Sequence, residues 1–235
     1  MKRAGPALAA AAALLAPAQA AAQAYQCRSP ERVIVPDIER DGPVRQLPIS
    51  GYTMALSWSP EFCKGRGSQS SHKRQCSGRE GSFGLIVHGL WPESGRTWPQ
   101  WCSAPRKPRP SELSPNMCLT PSARLLAHEW AKHGSCMTRR PATYYKVTRI
   151  LFGALRMPDL DRLSRRDGLK VGDLREQWHI ANPGWRGKRI GVDANSRGWL
   201  REIKLCYGKD FKPVDCPRWQ VGARDSAALK IWRGL

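Results

Sequence analysis

The 235-residue chain has no C-x-x-C pair, no H-E-x-x-H segment and no compact group of aspartates and glutamates. The first absence removes the usual spacing of structural zinc ligands. The second removes the two histidines, one helical turn apart, with which zinc peptidases grip their ion. The third disfavours a nuclease or phosphodiesterase built around carboxylate-held metal ions. Beyond its first two dozen residues the chain also lacks any stretch of 18 uncharged apolar residues, which excludes a membrane-spanning helix there. No internal repeat and no long low-complexity tract is present, so a solenoid is excluded as well.

Negative charge is scarce too. Asp and Glu number 19 against 39 Lys and Arg, a formal net charge of +20. A field of that size favours polyanions such as nucleic acid, anionic lipid or acidic polysaccharide over the bland alternative of adaptation for solubility. Two of the positive charges, Lys2 and Arg3, precede an apolar stretch from Leu8 to Leu15 and two Ala-x-Ala sites, Ala18-Gln19-Ala20 and Ala22-Gln23-Ala24. That pattern reads as a cleavable export signal, too short to be kept as a membrane span. Residues 1–24 are therefore expected to be lost on the way to a periplasm or the medium, leaving residues 25–235 as one domain of charge +18. All eight cysteines lie beyond the signal, and an even count in an exported chain reads as four disulfides, with 105 connectivities open.

Tyr52, Met54, Leu56 and Trp58 alternate with Thr53, Ala55 and Ser57, the period of a half-buried strand. Phe83 to His88 is an apolar run suited to a central strand, and 188–193 and 199–207 read as two more. The basic Ser/Gly stretch 64–82, with His72 expected at the surface, and the four-proline stretch Pro105 to Pro115 read as loops. Pro121-Ser122 introduces a helix that Gly134 should stop; 143–155 and 171–178 are further helices, with His179 a structural residue at the end of the last. Mixed order without a βαβ rhythm predicts a single α+β domain: a mainly antiparallel central sheet, flanked by helices and stapled by disulfides.

The segment HEWAKHGSC, 128–136, concentrates titratable groups. On a regular helix His128, Glu129, Lys132 and His133 fall at roughly 0°, 100°, 40° and 140°, one sector of the wheel. A polar cleft wall and a solvated face both fit that convergence. Zinc does not: the two histidines diverge by about 140° and Lys132 brings a positive charge between them. As acid–base machinery the group makes better sense, because histidine titrates near neutrality, a lysine can hold a phosphate and a carboxylate can orient an imidazole. One more proton-transfer group is needed, and His88 in FGLIVHGLWP, 83–92, supplies a candidate at the end of an apolar strand, where Gly89 lets the backbone turn.

HGLWP and HEWAKHGSC, in this order and about 40 residues apart, resemble the two active-site segments of the ribonuclease T2 family of exported endoribonucleases. The likeness extends more loosely to MALSWSPEFC (54–63), Tyr144-Tyr145 and LCYGKDFKPVDCP (205–217). It implies that His133 is the general base toward the ribose 2′-hydroxyl and His88 the general acid toward the departing 5′-oxygen. It implies that His128 binds phosphate and that Glu129 and Lys132 stabilise transition-state charge. Trp91 would line the pocket for the base on the 5′ side of the cut, with Glu93 and Trp98 at further base-contacting positions. Ser57 and Ser59 stand where the family often has Gln and Pro, which leaves the second base pocket undefined. The resemblance also implies disulfides Cys102–Cys136 and Cys206–Cys216; Cys63–Cys76 follows from proximity in the chain, leaving Cys27–Cys118.

Since the attacking group is the substrate's own 2′-hydroxyl, already beside the phosphorus, no cofactor or metal is required to make a nucleophile. The expected partner is RNA, with no stable protein partner implied, and the chain is expected to act as a monomer. Two other readings compete: a non-catalytic, basic nucleic-acid or polyanion-binding protein on the same fold, and a metal-dependent nuclease.

Overall fold

The computed structural model describes residues 24–102 and 105–234. The export signal expected over residues 1–24 therefore lies, save for the backbone of Ala24, outside the described residues. Four strands form the central sheet: β1 (Gly51–Trp58), β2 (Leu85–Glu93), β3 (Ile190–Ala194) and β4 (Leu200–Gly208), in the order β2-β1-β4-β3. Every neighbouring pair is antiparallel. The main helices are α1 (Ala123–Glu129), α2 (Pro141–Gly153) and α3 (Val171–Ala181). Met54, Leu56, Leu90, Leu174, Trp178, Ile203 and Leu205 are all fully buried where the sheet meets these helices. Removing that much apolar surface from water is the dominant favourable term. Among the described residues no helix is long and apolar enough to cross a membrane.

Several expectations change in detail. The alternation in β1 predicts one wet face, yet Thr53 and Ala55 are as buried as Met54 and Leu56, because Gln220 closes over the second face and takes the Thr53 hydroxyl at 2.7 Å. The apolar run around Phe83 joins the central sheet only from Leu85 and lies on its edge, not at its centre. That edge is covered: the Val87 N–H donates to the Leu119 carbonyl at 2.9 Å and the Thr120 hydroxyl to the Val87 carbonyl at 2.6 Å. β2 also runs past His88 as far as Glu93. The four-proline stretch is not all loop, since Pro110 opens a helical turn to Leu113 and Pro115 sits inside a following 3-10 turn. Proline is tolerated in a first helical turn, where its missing N–H has no partner to lose. His72 is only part exposed, its ring edge-on to Phe62 at 5.0 Å.

Four disulfides join Cys27–Cys118, Cys63–Cys76, Cys102–Cys136 and Cys206–Cys216. The first anchors an N-terminal arm, residues 26–50, which has neither helix nor strand and touches the body through an Arg45–Gln100 bridge. α2 is pinned to its neighbours through two phenols. The Tyr144 hydroxyl lies 3.2 Å from the Leu90 amide, and the Tyr145 hydroxyl donates to the Leu126 carbonyl at 2.9 Å.

Candidate active site

β1 and β2 pair with Ala55 opposite Gly89 and Leu56 opposite Val87, so His88 is the extra residue of a β-bulge. A bulge tilts the local backbone and re-aims one side chain. The His88 ring is thereby turned across the sheet, and its Nδ1 lies 2.8 Å from Glu202 Oε2 on β4. Ser57, between them on β1, donates its hydroxyl to the same oxygen at 3.1 Å. The other ring nitrogen, Nε2, is 3.8 Å from Glu129 Oε1. Burial lowers the pKa of His88, but the Glu202 hydrogen bond and the charges of Glu129 and Glu202 outweigh it and raise the group above its ordinary value.

The opposite wall comes from α1. Ser122 caps this helix by accepting the Leu125 N–H at 3.2 Å. After Glu129 the backbone widens into a π-turn, Trp130–Gly134, and then closes with Ser135–Met137. Gly134 is therefore no stop. It keeps helical dihedrals, and a Cβ there would come within 2.6 Å of Trp130 and 2.7 Å of Tyr144, so its role is close packing. In a π-turn each residue rotates less than in an α-helix, which closes part of the divergence between His128 and His133.

Glu129 is the hub. It is 4% exposed, accepts the Trp91 indole N–H at 2.7 Å and faces His128 Nδ1 at 3.1 Å. Burial pushes its carboxyl up, but the His128 hydrogen bond and the charges of His88 and His133 bring it down to about 2. Gly89 makes room for it, because a Cβ there would overlap the Glu129 carboxylate and the Trp91 indole nitrogen. The second nitrogen of His128, Nε2, lies 3.0 Å from Asp41 Oδ2. An imidazole that donates from both nitrogens is a cation, and His128 is raised above its ordinary value, first by the Glu129 bond.

His133 is different in kind. It is 7% exposed and set back from the open groove, its Nδ1 has no hydrogen-bond partner, and its ring lies 5.7 Å from that of Trp91. Desolvation outweighs the pull of Glu129 and, with the repulsion of Lys132, brings it down to about 4. His88 lies 5.2 Å from the same indole, so Trp91 is flanked by both imidazoles.

Two acidic residues at the site were not singled out by the sequence. Glu202 is one. The other is Asp41 of the N-terminal arm, whose Oδ2 accepts from Lys132 Nζ at 3.0 Å as well as facing His128, while its Oδ1 accepts the Trp101 indole N–H at 3.2 Å. Burial alone would raise this carboxyl; the Lys132 and His128 bonds bring it down to about 2. Trp101 is held at a positive φ of 53°, with its N–H on the Lys132 carbonyl at 2.7 Å and the Cys102–Cys136 disulfide beside it. Such a conformation costs about 1–3 kcal/mol and persists only where the surroundings enforce it.

The structure thus gathers His88, Trp91, His128, Glu129, Lys132 and His133 at one place, behind an open groove of about 1180 Å³ on which His88, His128, Asp41 and Glu202 border. Glu93 and Trp98 stand outside the cluster. Glu93 is 7% exposed, with Oε1 accepting from Gln220 Nε2 at 2.6 Å. Trp98 is 40% exposed, covered by the Arg45 guanidinium and bonded to Gln100. Among the described residues no group of three or more His, Cys, Asp or Glu is placed to hold a metal ion.

Comparison with known proteins agrees with this geometry. A family model described as the ribonuclease T2 family matches residues 50–159. The chain is 41% identical to a ribonuclease of Aeromonas hydrophila over 169 residues, 68% of this chain and 72% of that protein. It is 30% identical over 183 residues, 73% of this chain, to a Haemophilus influenzae protein named "Probable ribonuclease", of whose length it spans only 62%. The solved structure of trichomaglin, described as an S-like ribonuclease, shares the fold with a TM-score of 0.62 over 79% of this chain and 98% of its own, at 20% identity. The chain belongs to the ribonuclease T2 family.

Proposed function

We propose that the protein is an exported endoribonuclease that cleaves single-stranded RNA without a metal ion, through a 2′,3′-cyclic phosphate to 3′-phosphate ends. The observation that supports this most is the opposite tuning of two histidines around one buried carboxylate: His133 pushed down to about 4, His88 raised. The first is therefore an available base at neutral pH, and the second keeps its proton to higher pH than an ordinary imidazole, the combination that transphosphorylation calls on.

In the first step neutral His133 takes the proton from the ribose 2′-hydroxyl and the 2′-oxygen attacks phosphorus. The bond from phosphorus to the 5′-oxygen breaks, and His88 gives that oxygen its proton. Water then opens the cyclic phosphate with the two roles exchanged. Lys132 and doubly hydrogen-bonded His128 present positive charge to the non-bridging oxygens, and Glu129, fixed by Trp91, balances the imidazolium that forms. The Asp41 carboxylate now occupies the seat on His128 and Lys132, so the substrate phosphate has to replace it.

The test is cleavage of RNA and of DNA by the purified protein in excess EDTA, with the new ends mapped. RNA-only cleavage with cyclic phosphate ends supports the proposal, since DNA has no 2′-hydroxyl to attack. Binding without cleavage would favour the non-catalytic reading, and loss of activity in EDTA a metal-dependent one.

A further inference from the structure

We propose that Glu202 is a positioning residue for the general acid: it holds the His88 ring by Nδ1 so that Nε2 delivers the proton to the leaving 5′-oxygen. This rests on the reading of His88 as that acid. An imidazolium has two N–H groups, and only the one aimed at the leaving oxygen is useful. A carboxylate that accepts from the other fixes the ring's rotation and its tautomer after the proton has left.

Three features of the geometry converge on that role. The bulge at His88 points its ring across β1 toward β4, a direction a regular strand position would not take. Glu202 Oε2 then lies 2.8 Å from Nδ1, leaving Nε2 toward Glu129 and the phosphate seat. Ser57, in the row between them, is short enough to let the contact pass and donates to the same oxygen at 3.1 Å.

Charge around the pair is mixed. From β4, Lys204 lies 3.9 Å from Glu202 Oε1 and is itself held by Asp193 of β3 at 2.9 Å. Arg201 borders the groove from the same strand and His128 from α1, while Glu129 of α1 lies 3.8 Å from His88 Nε2. Lys204 opposes the proton on His88, while Glu129 and Glu202 retain it. Glu202 is the only one of these groups in hydrogen-bond contact with the ring among the described residues.

The experiment compares Glu202→Gln and His88→Ala on two substrates with the same 5′ base: a dinucleoside phosphate, whose leaving alkoxide needs a proton, and a nucleoside 3′-(4-nitrophenyl phosphate), whose leaving phenolate does not. Glu202→Gln should lower kcat on the dinucleotide about 10- to 100-fold, a part of what general acid catalysis supplies. It should leave the nitrophenyl ester within about twofold and move the alkaline limb of the dinucleotide pH profile to lower pH. An equal loss on both substrates would mean a merely structural role, and no loss on either would mean no role; each overturns the proposal. If His88→Ala itself lost both activities equally, the assignment of the acid would fail, which is a different result from failure at Glu202.

Discussion

One imidazole of the site stands on a sheet and the other on a helix, and their surroundings have little in common. His88 is on a strand bulge at the open groove, with Glu202 on one nitrogen and Glu129 near the other. His133 is buried in a π-turn with Nδ1 unpartnered and Lys132 next to it in the chain. The same side chain is raised in one place and brought down to about 4 in the other. Histidine has no fixed role; carboxylate neighbours make it hold a proton, and burial without a partner makes it give one up.

The sharpest way to break this contrast is to delete either ring. His88→Ala or His133→Ala should reduce RNA turnover about 10²- to 10⁴-fold each, while retention of RNA on a filter at low salt persists. Turnover within about twofold of the parent would remove that histidine from the chemistry.

The pH profile of kcat/KM tests the tuning itself. The proposed mechanism needs His133 neutral and His88 charged. Activity should therefore rise with pH through the lowered value near 4 and fall only above the ordinary histidine value of 6.5, by about tenfold per pH unit at each limb. A profile that rises only above pH 7 would show that the general base is not held below the ordinary histidine value.

Gly89→Ala addresses the carboxylate between them. The added methyl overlaps Glu129, so stability should fall by about 1–3 kcal/mol, read as a lower Tm in thermal unfolding. An unchanged Tm would show that Glu129 yields more freely than its three contacts imply.

The smallest effect is expected on the proposed phosphate seat. Asp41→Asn removes a tethered competitor from His128 and Lys132, so inorganic phosphate should inhibit at about a several-fold lower concentration. Weaker inhibition would mean that Asp41 helps to build the seat instead of filling it.

The α+β class and the antiparallel sheet were legible because alternating runs such as Tyr52–Trp58 and a helix opening at Ser122 announce themselves locally. The edge position of β2 was not, because the loop at Leu119 and Thr120 shields it and makes it read as apolar as a central strand. HGLWP and HEWAKHGSC drew attention to the six clustered residues. Nothing local marks Asp41, in an arm without regular structure. Glu202 left a faint signal: with Lys204 it alternates against Ile203 and Leu205, but which histidine that face meets depends on strand order.

By itself, then, the sequence determined which side chains could carry protons and that the chain belongs among basic, disulfide-rich α+β proteins, since residue type and period are properties of short segments. Which histidine is raised and which lowered, that Glu93 turns inward to Gln220, and that Asp41 reaches His128 and Lys132 were decided only by the tertiary structure. Proton affinity and contact depend on what folding brings within a few ångströms, and those neighbours come from residues tens of positions away or more.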